Sequence, residues 1–534
     1  MNHWFVNHYY APKIRLRLCC LWLTLIMCVL STRGYAKKSY QQINELISAW
    51  QMQQARQAFD EYEAENKGTP THEMIRGRLL LFEGRYREAT ETFDRVKSQN
   101  PQALNMMGRI VQQAYDTYET LKEMQEETSN DGRFLVRYFK KDQMLIPYLI
   151  EVLQRADQAL SKDFDYRPPG QILVEIYPTS EYLAKVSSLS EEDIETSGTI
   201  ALCSDNRLMF TSPRGLARGY GWRDTVTHEF VHYYVTKYSA NTVPIWLHEG
   251  IAKFQEVRWR HDPGPHLAAP QEDLLARSLQ SKQLITFDQM HPSMAKLPSQ
   301  TAASLAFAEV HTVLEFLYKK KGYQGIRMLL QALKSGFEMD DALMQSFGFN
   351  LQGLWDAWLA YMQKRGLKQY PGLVQRSLRF KRPGEEEEPE AEYDSIENKE
   401  VKDWAHIGEL LRARGRLMAA LRTYQKASHK GGDAHLVIQN GMAAILLALK
   451  KPMDIPSLLQ RVIDYYPTYF TSYLHLGKAY MALQEPLRAI AAFEEAVGIN
   501  PFHPEPHQAL IRLYQQTDQP QLLSREKRVL EMMK

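Results

Sequence analysis

The stretch "VTHEFVHYYV", Val226 to Val235, decides how the chain is read. It holds His228, Glu229 and His232 in a His-Glu-x-x-His spacing. On a helix, residues four apart differ by about 40° in direction and about 6 Å in height, so the two histidines point the same way and can grip one ion. Glu229 is turned by about 100°, close enough to hold a water on that ion without ligating it. Two neutral imidazoles and an adjacent carboxylate are what metal-assisted hydrolysis needs. So short a motif also arises by chance, and the flanking sequence has to support it.

A third ligand is within reach. "PIWLHEGIAKF", Pro244–Phe254, reads as a second helix, an apolar run with a proline just ahead of it. Glu249 lies 17 residues after His232. That distance lets the first helix end, the chain turn through "SANTVP" (Ser239–Pro244), and the second helix bring a carboxylate to the ion. Two histidines and one glutamate leave a fourth position open for water, the pattern of a catalytic zinc site. A structural site would want four protein ligands, usually with cysteine. Gly250 is expected to let the two helices pack closely.

His228-Glu229-x-x-His232, followed by Trp246-Leu247-His248-Glu249-Gly250-Ile251-Ala252, resembles the gluzincin metallopeptidases. The closest resemblance is to the peptidase MA-like domains of bacterial proteins that also carry tetratricopeptide repeats. "RFLVRYFKKD", "DYRPPGQILVEIYP", "FAEVHTVLEFLYKKKG" and "LLQALKSG" fall where that family has its strands and packed helices. The resemblance implies that His228, His232 and Glu249 bind one catalytic zinc ion and that Glu229 is the general base and acid. The implied reaction is attack of activated water on a peptide carbonyl.

Two positions depart from the family pattern. Thermolysin-type enzymes place an aspartate one turn after the glutamate ligand, where this chain has Lys253. Family members often have a tyrosine in the segment corresponding to "SLAFAEVH", where this chain has Phe307. His311, Tyr318 and Tyr323 are the candidates for an oxyanion-stabilising or supporting role. The plainer reading of His311 is a partly buried helix histidine. His248, next to Glu249 on a helix, is expected to point away from the metal.

Outside this region the chain is helical. "GRLLLFEGRYREATETFDRVKSQNP" places Gly77, Leu80, Ala89, Phe93 and Pro101 at the spacing of a tetratricopeptide repeat. Trp404, Gly408, Ala420 and Tyr424 form one C-terminal register, and Tyr473, Gly477, Tyr480, Ala489, Phe493 and Pro501 another. Their 69-residue offset, from Trp404 to Tyr473, is close to two periods of about 34 residues. Weaker units sit near Gly441 and around Leu510 and Tyr514. This part resembles the tetratricopeptide family, which implies a curved helical surface for protein partners.

The formal net charge of +2, with no basic patch interleaved with aromatics, gives no reason to expect a nucleic-acid partner. At the N-terminus, Lys13, Arg15 and Arg17 precede the 13-residue apolar run "LCCLWLTLIMCVL". That length suits a signal-peptide core better than a membrane-spanning helix, with cleavage expected after Ala36. The alternative is an uncleaved segment that anchors the protein to a membrane. Cys19, Cys20 and Cys28 lie in this run, so the mature chain would keep only Cys203, a small core residue rather than a nucleophile. "KRPGEEEEPEAEYDS", Lys381–Ser395, combines proline, glycine and a glutamate run, and reads as a solvated connector.

The expected architecture is α+β, a zincin-like metallopeptidase domain flanked by all-α tetratricopeptide-type repeats. The expected divisions are a signal peptide over 1–36, a helical region over 37–128, the peptidase domain over 129–370, an acidic flexible linker over 371–400, and a repeat array over 401–534 free to move behind the linker. The expected function is an exported, periplasmic, bacterial zinc peptidase whose repeats recruit a protein or peptide substrate. The alternative is an inactive peptidase-fold scaffold of the cell envelope that binds protein partners.

Overall fold

The computed structural model describes residues 39–534 except 101, 103–107, 265–266, 382–392 and 394–395. The export segment with its three cysteines, and the glutamate run of the connector, lie outside the described residues. Among those described, no helix is long and apolar enough to cross a membrane.

The chain opens with helices α1 (Tyr40–Ser48), α2 (Met52–Asn66), α3 (Pro70–Phe82), α4 (Tyr86–Gln99) and α5 (Gly108–Leu121). In the α3–α4 pair a Cβ at Gly77 would lie 2.4 Å from the Phe93 ring, so only glycine permits this crossing. Then come β1 (Met124–Thr128), β2 (Phe134–Phe139), α6 (Ile146–Phe164), β3 (Ile172–Tyr177), α7 (Ser180–Val186), α8 (Glu191–Ser197), β4 (Ala201–Ser204) and β5 (Arg207–Thr211). The strands form one sheet in the order β1-β2-β3-β5-β4. Its centre is parallel, with Val136 beside Val174 and Val174 beside Leu208. The two edge strands, β1 and β4, run antiparallel to their neighbours.

Both faces of the sheet are covered, which explains why β2 and β3 read as nearly continuous apolar runs. On one face Phe134 meets the Phe230 ring of the helix described next. On the other, Arg207 pairs with Glu175 at 2.6 Å, and Tyr86 of α4 donates to the same carboxylate at 2.9 Å. This buried ionic cluster joins the N-terminal helices to the sheet.

Two helices carry the motif residues, α9 (Trp222–Ser239) and α10 (Ile245–Gln255). They are followed by α11 (Ala269–Ser281), α12 (Gln300–Lys334, broken at Gly322), α13 (Met339–Phe347) and α14 (Leu351–Arg365). The C-terminal array comprises α15 (Lys399–Ala413), α16 (Leu417–Ala427), α17 (Leu436–Ala448), α18 (Ile455–Tyr465), α19 (Phe470–Ala482), α20 (Pro486–Ile499), α21 (Pro504–Gln516) and α22 (Pro520–Met532). Gly408 against Tyr424 and Gly477 against Phe493 repeat the close crossing seen at Gly77.

The array is not free behind a linker. Residues 38–534 form one compact unit, and helices α19–α22 share a core with the central α+β domain, while the earlier helices of the array pack around a second core of their own. Trp222 donates its indole N–H to the Val497 carbonyl at 3.3 Å, Tyr220 N–H reaches the Ile499 carbonyl at 3.2 Å, and Arg223 pairs with Glu494 at 3.1 Å. Deeper in the junction, Tyr148 of α6 donates to Glu526 at 2.7 Å, and His507 lies 2.7 Å from the same carboxylate.

The expected flexible linker, 371–400, is also corrected over its described part. Residues 374–381 run extended, with Val374 N–H on the Tyr466 hydroxyl, Leu378 N–H on Gln300 Oε1, and Lys381 N–H on the Gly215 carbonyl. Backbone groups satisfied by fixed partners on both sides do not make a hinge. Residues 399 and 400 already belong to α15.

Candidate metal centre

The α9 helix is buried on nearly every side, and His228, Glu229 and His232 are buried with it. It ends at Ala240 in the left-handed conformation (φ 56°), which turns the chain towards Pro244 and α10. The α10 helix then lies across α9 and presents Glu249. Gly250 permits this placement, though not by the expected contact. A Cβ there would sit 2.4 Å from Leu314 and 3.1 Å from the Val310 carbonyl, both on α12. The close approach is thus between α10 and α12.

Ligand atoms of His228, His232 and Glu249 all lie within 4.8 Å of one another. Glu249 Oε2 is 3.2 Å from His228 Nε2 and 3.2 Å from His232 Nε2. Separations near 3.3 Å are the edges of a tetrahedron whose bonds are about 2.0–2.1 Å long, so the two carboxylate–imidazole edges, and the donor set of two nitrogens and one oxygen, suit zinc.

Each histidine is held from behind. His228 Nδ1 lies 3.5 Å from Glu256 Oε2, and Lys253 pairs with Glu256 at 2.6 Å. His232 Nδ1 is 2.5 Å from His248 Nδ1, and His248 Nε2 is 3.1 Å from Thr236 Oγ1. Glu256 was not anticipated, although its spacing of seven from Glu249 puts both carboxylates on one helix face, two turns apart. His248 was expected to point away from the metal and instead supports a ligand. No local sequence signal predicts that, because the contact depends on how α10 crosses α9.

The charges at the centre are strongly perturbed. Burial works to lower His228, but hydrogen bonds to Glu249 and Glu256 outweigh it and push the metal-free imidazole up to about 10. Burial would raise Glu256, yet Lys253 and His228 hold it down to about 2. Glu249 is likewise held below the usual carboxylate range by the two histidines against the effect of burial. Burial, then the charge of His232, brings His248 down to about 3. Glu229 is raised by burial, which suits a carboxyl that must both take and return a proton.

The remaining candidates fall elsewhere. The Phe307 ring meets the His228 ring at 5.8 Å, so an apolar group occupies the place where a tyrosine hydroxyl was expected. His311, one turn further along α12, is buried against Phe254 with its ring 5.7 Å away. Burial drops it to about 4, which fits the plainer reading of a neutral helix histidine. Tyr318 packs on Phe254 and against Tyr323, and Tyr323 faces Asp163. The structure therefore brings neither tyrosine against the triad. Cys203 lies on β4, and burial pushes its thiol far up, with the charge of Glu229 adding to this, so it is no ready nucleophile.

The Peptidase MA superfamily profile matches residues 155–364, a span that holds the triad, Glu229, His248 and Glu256. A tetratricopeptide repeat profile matches residues 470–503, which cover α19 and α20. No curated protein matches the chain. Among solved structures, MamA 41-end from Desulfovibrio magneticus RS-1 is 23% identical over 25% of this chain and 75% of its own, with a TM-score of 0.23. MamA MSR-1 C2 is 20% identical over 26% of this chain and 82% of its own, also with a TM-score of 0.23. Scores this low carry no argument about fold or function. On the profile matches and the fold, the chain joins a Peptidase MA superfamily domain to C-terminal repeats of the tetratricopeptide type.

Proposed function

We propose that the protein is a zinc-dependent peptidase. The observation that carries this is the convergence of His228 Nε2, His232 Nε2 and Glu249 Oε2, each histidine being held by a second partner. Zinc bound there would polarise a carbonyl and lower the pKa of a water. The chain's own residues do the rest. Glu229, one residue from a ligand and raised by burial, takes the proton from the attacking water and returns it to the leaving amine. Glu256 and His248 fix the imidazole orientations, so that both Nε2 lone pairs stay turned inward. The edge strand β4, beside Glu229, offers main-chain groups to an extended peptide. The N-terminal apolar run supports export, and the repeats support a role in binding protein.

The test is zinc content together with turnover. The full chain should hold about one zinc, and His232→Ala should hold none. Glu229→Gln should keep the metal and lose about 10²–10⁴-fold in peptide hydrolysis. One observation favours a second reading, an inert scaffold. Phe307 leaves α12 without a polar group against His228, where an oxyanion would need one. Equal rates from the wild type and Glu229→Gln would establish the scaffold and end the peptidase reading.

A further inference from the structure

A cleft of about 1330 Å³ opens between the C-terminal repeats and the peptidase domain. Its walls include Ile200, Thr225 and Ser304 on the domain side and Tyr473 and Gly498 on the repeat side. The metal ligands lie just past its floor, since Thr225 is one turn before His228 and Glu229 on α9. Both flanks of the cleft lead to reacting residues. Ile200 precedes β4, which packs against α9, the helix of Glu229. Ser304 is one turn before Phe307, which meets His228. Three residues of strand span about 10 Å, the step from Ile200 along β4 to Cys203, so a peptide lying along β4 would cross from the strand's side of α9 to the cleft in about three residues.

Gly498 needs a reason. Glycine is the weakest helix former after proline, yet it sits in the last turn of α20. A Cβ at 498 would meet nothing closer than Arg223 Cδ at 3.9 Å. At Gly477 and Gly408 a Cβ would come within 2.7 and 2.9 Å of an aromatic ring. Packing therefore demands glycine at 477 and 408 but not at 498. Nor is 498 a loose position, because Val497 and Ile499 on either side accept hydrogen bonds from Trp222 and Tyr220. At 498 a Cβ would only touch the Arg223 side chain, and a larger side chain would extend into the cleft that Gly498 lines.

We propose that this cleft is an outer subsite for an unfolded polypeptide, about three residues from the bond that reacts, and that Gly498 keeps it open. The proposal rests on the peptidase reading and names its substrate class. The volume exceeds the roughly 300–1000 Å³ of small-molecule pockets. A folded domain of even 50 residues has a radius of gyration of about 10 Å and cannot enter. Along the walls Arg223 pairs with Glu494 and Arg260 with Asp224, so these cations are already matched. Charged side chains such as Arg155 and Arg376 also line the cleft, and among its walls Trp259 and Tyr473 suit the apolar and aromatic side chains of an extended chain.

The test is binding by the full chain carrying Glu229→Gln, loaded with zinc, read by fluorescence anisotropy. The probes are labelled α-lactalbumin that has been reduced and carboxymethylated, and the same protein in its native, calcium-bound form. The unfolded probe should bind and the native one should not. Adding Gly498→Ala should change little, Gly498→Leu should weaken binding, and Gly498→Trp should weaken it by about tenfold or more. Zinc content reports whether each variant keeps its centre. Should Gly498→Trp lose zinc, Gly498→Leu decides, with Tyr473→Ala as a second probe of the same wall. Equal affinity for both probes, no binding of either, or unchanged binding in zinc-loaded Gly498→Leu overturns the proposal. Hydrolysis of the unfolded probe by the wild-type chain is scored separately. Binding without hydrolysis would end the peptidase reading and leave the subsite standing.

Discussion

His232 and His248 face each other Nδ1 to Nδ1 at 2.5 Å. Only one proton fits between them. With a metal on His232 Nε2, its Nδ1 would carry the proton and donate, and His248 would accept as a neutral ring and donate from Nε2 to Thr236 Oγ1. His248 thus backs one candidate ligand, while the carboxylate of Glu256 backs the other.

Replacing His248 tests the first support. His248→Ala should weaken zinc binding by about 10–100-fold. His248→Gln keeps an acceptor and should recover most of that loss. Competition with a chromophoric chelator measures both, and equal affinities for wild type and His248→Ala would refute the support.

Glu256 should matter in the same way at His228. Glu256→Ala leaves Nδ1 without its carboxylate and should also cost about 10–100-fold in zinc affinity. Lys253→Ala, which touches no ligand directly, should cost clearly less. The same chelator titration separates the two, and the reverse order would place the support on the lysine.

Glu309 on α12 gives a pH signature away from the centre. It is fully buried, and Ile285 N–H donates to its Oε1 at 3.0 Å. Burial pushes it up to about 8. The folded chain then holds a proton that the unfolded chain has lost above about pH 4.3, so stability falls as pH rises from about 4.3 to 8 and levels off beyond. Glu309→Gln cannot titrate. Relative to this variant, the wild type should lose up to a few kcal/mol between pH 5 and 8, measured by urea unfolding. Parallel pH profiles would show that the carboxyl is ionised throughout.

The buried junction of Tyr148, His507 and Glu526 should hold the repeats in place. Glu526→Ala leaves Tyr148 and His507 without their shared acceptor and should destabilise by about 3–5 kcal/mol. Tyr148→Phe removes one hydrogen bond to a charged group and should cost about 1.5–3 kcal/mol. Limited proteolysis should release the repeats from Glu526→Ala faster than from wild type. Unchanged release would mean that other contacts carry the junction.

Much of this molecule was legible along single elements. His228, Glu229 and His232 share one helix, and a helix has one geometry, so their spacing already placed the two imidazoles and the carboxylate together. The repeats were legible for a similar reason. Gly477 and Phe493, or Gly408 and Tyr424, answer each other across one helical pair, and a missing Cβ opposite a ring leaves a mark in sequence. Glu249 was legible because one short turn separates its helix from His232.

Other features had no such mark. The linker reading followed composition, but residues 374–381 are held by Tyr466, Gln300 and Gly215, which are remote in sequence. Tyr318 and Tyr323 shared a helix with Phe307, yet rotation along α12 and packing on Phe254 took them elsewhere.

By itself, then, the sequence determined which residues make up the candidate triad and its neighbouring carboxylate, and the repeat pairs, since each depends on periodicity within one or two neighbouring helices. Only the tertiary structure decided that His248 and Glu256 stand behind the ligands and that the repeats wall a cleft. Those contacts are set by the crossing of α10 over α9 and by the docking of α20 on the start of α9, and no local periodicity encodes either.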